Sequence, residues 1–357
     1  MSSATDPHPP FLFFIGSGRS GTTLIREIFN AHPDCAIPDE THFVPMLARH
    51  RWLYEPPDGR FRTERLLRDL ATYEPFRRML PDEVAQRALA GDVQDYPDAV
   101  RRLYAAYAAL EGKHRYGDKT PRYCLDVPIL AMLFPEARFV HVIRDGRDVA
   151  LSVKGVSFGP DTLGGAALYW RNRALATRRF GEVLDPSRYT EYRHEELLDD
   201  TEGIVRRLCD FGDLAFDPAM LTYHERIAPR TEAHHPNVHR PPTKGLRDWR
   251  SELQPADVRL VELLVGDALD ELGYDLETDE LTLPMPEERA LRIEAKKIRR
   301  AHVEWEAESF GIVNVPARRP PSVRRRYRLG WPIREDTVIL DDADTDEDAD
   351  VLDVLDR

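Results

Sequence analysis

Cysteine is scarce. Cys35, Cys124 and Cys209 are the only three in 357 residues, far apart and in no CxxC pair. That spacing offers neither a disulfide framework nor a thiolate zinc site, and leaves the three as small buried fillers. Long apolar runs are missing as well. No stretch approaches the roughly 20 residues that a membrane-spanning helix needs, and the start MSSATDPHPP has neither a basic region nor an apolar core of a leader, so a cytoplasmic location is expected. Lysine is the third shortage, six against forty-four arginines. The histidines of HHPNVHR (234–240) are broken by proline and fit no common ligand set, which points to a solvated loop and no metal.

What is present is an ordinary globular composition, 42% hydrophobic and 32% charged, enough for one large domain or a domain with an appendage. The formal charge of −13 is concentrated at one end. Residues 335–357 carry eleven acids against Arg357 alone, so the body is nearly neutral. Just upstream, residues 316–334 hold seven arginines and no acid. This composition reads as a solvated extension ending in a disordered acidic tail, or as arginines meeting an anionic surface, an acceptor or that tail; the composition leaves both readings open.

Strand-then-helix signals recur. FLFFIG (11–16) is a short apolar run ending in glycine, and LIREIFNAHP (24–33) sets Leu24, Ile25, Ile28 and Phe29 at helical spacing before Pro33. FVHVI (139–143) followed by DGRD and a helix repeats the pattern, and a weaker strand at 189–193 leads into a third helix. Alternation of this kind predicts an α/β fold, a central parallel sheet with helices on both faces. The expected boundaries are a flexible 1–10, a domain over 11–283 with a mainly helical insertion at 49–116, a helical and basic extension over 284–334, and the acidic tail at 335–357.

Within FIGSGRSGTTL, Gly16 and Gly21 have the spacing of a phosphate-binding loop, and Ser17, Gly18, Arg19 and Ser20 lie between them. Backbone N–H groups and a helix N-terminus converge there, which favours an anion. A nucleotide triphosphatase would carry lysine where Thr22 stands, so a kinase or triphosphatase is the weaker reading. Arg19 has a fork suited to a tetrahedral anion.

The run Arg19-Ser20-Gly21-Thr22-Thr23 after a strand resembles the first motif of the P-loop sulfotransferases, which use 3′-phosphoadenosine 5′-phosphosulfate (PAPS). FIGSGRSGTTLIREIFNAHPDCAIPDET is most like the tyrosylprotein sulfotransferase branch. The resemblance covers scattered blocks over about 11–275. It implies a 5′-phosphosulfate held by Ser17, Gly18, Arg19, Ser20, Gly21, Thr22 and Thr23, and no metal. It implies a 3′-phosphate held by Arg144 in VIRDGRD and Ser152, eight residues later. A guanidinium and a hydroxyl two helical turns onward can clasp one phosphate, with Arg147 a helper or a structural arginine.

Sulfuryl transfer needs a base, and the resemblance supplies Glu40 of IPDETHF, matching the Glu-Thr end of the branch's GEET segment; His42 is the second candidate. Lys119 in DKTP matches a lysine that stabilises the departing phosphate oxygen, and Arg19 faces the sulfonate. RHEEL (193–197) puts His194 where the family has tyrosine. KGLRDWRSEL (244–253) offers Lys244 and Gly245 to the nucleotide and aligns Trp249 with a family tryptophan, while Arg247 replaces a catalytic serine. The expected activity is transfer from PAPS to a hydroxyl on a small molecule, carbohydrate or glycolipid, with a non-catalytic protein binding PAPS or its product PAP as the alternative. No nucleic-acid partner is expected, and the sequence assigns no oligomeric state.

Overall fold

The computed structural model describes residues 8–57, 59–226, 239–243, 245, 248–278 and 285–310, with side chains of the last helix given for 290–305. In chain order the elements are β1 (Phe11–Gly16), α1 (Thr22–Asn30), β2 (Cys35–Ala36), α2 (Phe43–Ala48), α3 (Thr63–Ala71), α4 (Glu74–Met79), α5 (Asp82–Ala88), α6 (Tyr96–Leu110), β3 (Arg115–Asp118) and α7 (Val127–Leu133). Then come β4 (Ala137–Ile143), α8 (Gly146–Val153), α9 (Leu163–Glu182), β5 (Tyr189–Arg193), α10 (His194–Asp199), α11 (Thr201–Phe211), α12 (Trp249–Glu252), α13 (Pro255–Glu271) and α14 (Met285–Phe310). The described residues divide into two compact units at 144/145, 172/173 and 247/248.

The first unit holds the whole sheet, five parallel strands in the order β2-β3-β1-β4-β5. β1 is central and buried along its length. Its alternate side chains serve opposite faces, as the period of two requires. Leu12 and Phe14 join Ile25, Ile28 and Phe29 of α1 and Leu208 of α11 in one core. Phe11 and Phe13 stack on each other at 4.3 Å between ring centroids and meet Tyr104, Phe134 and Tyr123 on the other side. The expected strands at 11–16 and 189–193 form as read, and the expected 139–143 extends back to Ala137. β2 and β3 are two and four residues long, and in β3 (RYGD) apolar residues are outnumbered, so pattern alone does not reveal them. Cys35, Cys124 and Cys209 are buried free thiols, the fillers that their spacing implied.

The second unit gathers α8, the first part of α9, α12, α13 and α14. Gly164 of α9 lies against Leu264 and Ile298, and Tyr169 meets the ring of Trp305 edge-on. Its polar centre is Arg147, 1% exposed. The guanidinium bonds both oxygens of Asp145, at 3.0 and 2.8 Å, and Glu262 at 2.6 Å. It also lies 3.8 Å from the ring centroid of Trp249, whose indole N–H donates to Asp145 at 3.1 Å. Arg147 is therefore the structural arginine of the two roles foreseen for it.

One position in the first unit controls the sheet edge that carries the loops. Gly16, with φ 155°, is the register partner of Val142, and a Cβ on it would lie 2.5 Å from the Val142 carbonyl oxygen. Because the obstacle is backbone, β1 and β4 would have to separate to admit even a methyl group. Gly16→Ala should therefore lower stability by about 2 kcal/mol, a typical overpacking cost, seen as a reduced Tm in scanning calorimetry; an unchanged Tm would contradict the close approach.

Candidate active site

Parallel strands bring the loops after their C-terminal ends to one edge, where open α/β sheets bind ligands. Here that edge receives the loops after β1, β2, β3, β4 and β5, which carry residues 17–21, Glu40, Lys119, Arg144 and His194.

In the loop after β1, Ser17 and Ser20 are each 1% exposed, and the Ser20 amide donates to the Ser17 carbonyl at 3.2 Å, closing a turn. Arg19 has φ 71° and Gly21 φ 97°. A side chain at Gly21 would strike the imidazole of His194, so only glycine suits that position on both counts. α1 begins at Thr22 without a side-chain cap, leaving its first N–H groups to the loop. The Ser20 hydroxyl is buried with no protein partner. A buried hydroxyl without a protein partner beside a glycine turn at a helix start is the chemistry that a phosphate or sulfate oxygen requires, so the loop fits the 5′-phosphosulfate that the resemblance implies. Burial pushes the pKa of His194 down to about 3, and the charge of Arg144 adds to the effect. His194 is therefore neutral, and its ring lies directly against the glycine turn.

The second cluster joins Glu40, His42 and Lys119. Lys119 Nζ donates to Glu40 Oε1 at 2.8 Å, and His42 Nε2 lies 3.4 Å from Oε2. Lys119 is buried, its side chain 3% exposed, whereas that of Glu40 is 39% exposed. Burial pushes the Glu40 carboxyl up, but the Lys119 charge and hydrogen bonds from His42 and Lys119 outweigh it, holding the pKa at about 2. Burial pulls Lys119 down, and the Glu40 charge and hydrogen bond act against that pull. His42 adopts φ 55°, a left-handed conformation rare for a side chain of this size.

Residues that the sequence did not single out hold this cluster in place. Asp39 pairs with Arg26 of α1. Thr41, Asp118, Tyr104 and Tyr123 form a buried hydroxyl and carboxylate network beneath Glu40 and Lys119. The only sequence signal was adjacency, since Thr41 follows Glu40 and Asp118 precedes Lys119; nothing in the spacing joined 41 to 118.

Ser152 on α8 and Trp249 on α12 belong to the second unit. Trp249 is occupied there by Asp145 and Asp148, its amide donating to Asp148 at 2.8 Å. Gly245 has φ 73°. Lys244, Arg247, most of the histidine segment and the basic and acidic stretches after 310 lie outside the described residues. Among the described residues no group of three or more His, Cys, Asp or Glu side chains is arranged to hold a metal ion, and no helix is long and apolar enough to cross a membrane.

A parallel sheet thus carries, at one edge, a phosphate loop without the triphosphatase lysine and a carboxylate–lysine pair. Residues 10–218 match the sulfotransferase family, and the chain belongs to it as a PAPS-dependent sulfotransferase. Nodulation protein NoeE of Sinorhizobium fredii is 27% identical over 309 residues, 77% of this chain and 68% of the relative. Protein-tyrosine sulfotransferase A of Caenorhabditis elegans is 24% identical over 331 residues, 87% of this chain and 78% of the relative. Among solved structures, the sulfotransferase domain from the Synechococcus PCC 7002 olefin synthase is 26% identical with a TM-score of 0.51, covering 77% of this chain and 100% of that domain.

The electrostatics of the pair can be tested without any substrate. Lys119→Met removes the chief lowering influence on Glu40 and leaves the upward push of burial against His42 alone, so the Glu40 carboxyl should titrate clearly above its present value of about 2. A carbon-13 NMR titration of the labelled carboxyl reads this directly, and a midpoint that stays near 2 would show that Lys119 is not the cause.

Proposed function

We propose that Glu40 is the general base of the transfer and that Lys119 and Arg19 stabilise the transferring group, the acceptor being a hydroxyl on a small molecule, carbohydrate or glycolipid. The observation that carries the reading is the 2.8 Å contact between Glu40 and Lys119 at the sheet edge that also bears the Gly16–Thr23 turn. When bound, PAPS supplies an activated sulfuryl group on a phosphate that departs as PAP. Ser17, Gly18, Ser20, Gly21, Thr22 and Thr23 would hold the 5′ group through amide and hydroxyl donors. Arg144, and Lys244 with Gly245, would hold the 3′-phosphate side.

Glu40 is ionised across the neutral range, so it can accept the acceptor's proton at Oε1 or Oε2. A carboxylate held near 2 is nevertheless a weak base, because proton affinity and basicity rise together. The reading therefore includes a coupling. Once the Lys119 ammonium shares its hydrogen bonds with anionic oxygens of the donor, its hold on Glu40 slackens and the carboxylate becomes more basic. The same ammonium then faces the oxygen on which charge grows during transfer. Three buried free thiols are in keeping with a reducing, cytoplasmic compartment.

Glu40→Gln keeps the shape and a hydrogen-bonding oxygen but cannot take the proton. Turnover should fall by about 10²- to 10⁴-fold while PAP affinity, measured by calorimetry, stays within a few-fold. Radiolabelled PAPS offered with a phenol, a methyl glycoside, a glycolipid and a tyrosine-containing peptide reports both rate and acceptor class. Undiminished turnover would remove Glu40 as the base. Tight PAP binding with no transfer to any acceptor by the parent protein would favour the non-catalytic reading.

A further inference from the structure

The carboxylate of Asp118 has no place in the chemistry above, yet it is fully buried at the end of β3, immediately before Lys119. Its Oδ2 accepts two hydroxyl hydrogen bonds, from Tyr104 at 2.6 Å and from Thr41 at 2.7 Å. The Thr41 hydroxyl also lies 2.9 Å from that of Tyr104 and 3.0 Å from that of Tyr123, and the Thr41 amide donates to the Thr120 hydroxyl at 3.1 Å. Tyr123 in turn accepts from the amide of Val44 at 3.2 Å. Oδ1 is buried without a hydrogen-bond partner, and a buried carboxylate held by hydroxyls on one oxygen is costly unless its neighbours are fixed. Here the fixed neighbours are the residue after Glu40 and the residues on either side of Lys119. On its other side Glu40 is anchored through Asp39 to Arg26, and the strained backbone of His42, φ 55°, persists only where the surroundings over-determine it.

We propose that Asp118 and Thr41 are positioning residues: the Asp118 carboxylate, gripping the Thr41 and Tyr104 hydroxyls, clamps the Glu40–Thr41 turn onto Lys119–Thr120 and so sets the separation of base and ammonium. This rests on the proposed roles of Glu40 and Lys119. The clamp matters because displacement of a reacting group by about 1 Å can cost on the order of 10² in rate. The short polar strand β3 thus ends on the hub, Asp118, with the lysine immediately after it.

The test uses a matched pair on the intact chain. Thr41→Val conserves volume and removes the hydroxyl, whereas Thr41→Ser keeps the hydroxyl and removes only a methyl group. Thr41→Val should lower kcat by about 10- to 100-fold with donor KM and PAP affinity within about three-fold, and should raise the Glu40 titration midpoint as the ammonium draws away. Thr41→Ser should restore both readings to within a few-fold of the parent. Tyr104→Phe, which keeps the ring in its aromatic cluster and deletes one donor to Asp118, should shift both in the same direction by less, and it serves if Thr41→Val does not fold. Rates come from radiolabelled PAPS with a phenol and a methyl glycoside, and the midpoint from carbon-13 NMR, which needs no acceptor. The proposal is overturned if Thr41→Val and Tyr104→Phe leave both rate and midpoint unchanged, or if Thr41→Ser behaves like Thr41→Val. Full activity in Glu40→Gln beside a shifted midpoint in Thr41→Val would instead overturn the base assignment and leave the clamp standing.

Discussion

Parallel pairing of β1 with β3 and β4 is the constraint on which the site depends. Because all five strands run the same way, residues separated by more than a hundred positions leave the sheet at one edge. The Gly16 approach to Val142 lets β1 stay paired with β4 to its own last residue, so the phosphate loop begins at the sheet rather than beyond it. An anion site at a helix start needs that rigidity, since its donors are backbone groups whose direction is set by the strand before and the helix after.

The charges at this edge are arranged as a buried cation with an accessible anion. Lys119 is withdrawn from water while Glu40 keeps partial exposure, which is the asymmetry expected if the ammonium serves a bound anion and the carboxylate faces an incoming hydroxyl. A buried lysine without a counter-ion would lose its proton. Glu40 opposes that loss, and the price is a base whose proton affinity is depressed in the resting protein. The hydroxyl network around Asp118 holds that balance in place, since an ion pair gains strength from low dielectric only while its geometry is kept. In the second unit, the Arg147, Asp145, Glu262 and Trp249 cluster buries charges of the same kinds in contact with one another, so residue type alone does not mark a functional charge.

Much of this was legible from local pattern. Strands β1, β4 and β5 and the start of α1 follow from apolar runs ending in glycine or a turn, and the likeness of Arg19-Ser20-Gly21-Thr22-Thr23 to the sulfotransferase motif brought Glu40, Lys119 and Arg144 into consideration. β2 and β3 escaped because strands so short carry no period, and their formation depends on neighbours already in the sheet. Thr41, Asp118, Tyr104 and Tyr123 escaped for a related reason: each is unremarkable in its own segment, and only burial beside the others makes it a partner.

The sequence by itself determined that the loop binds an anion, because a glycine turn with small hydroxyl side chains has its chemistry in the backbone and the local order of residues, and its resemblance to the sulfotransferases supplied the class of reaction. Tertiary structure alone decided how residues 26, 39–42, 104, 118–120 and 123 meet. Those contacts join segments up to 82 positions apart, and hydrogen bonds of that kind depend on sheet order and burial, quantities that exist only once the chain has folded.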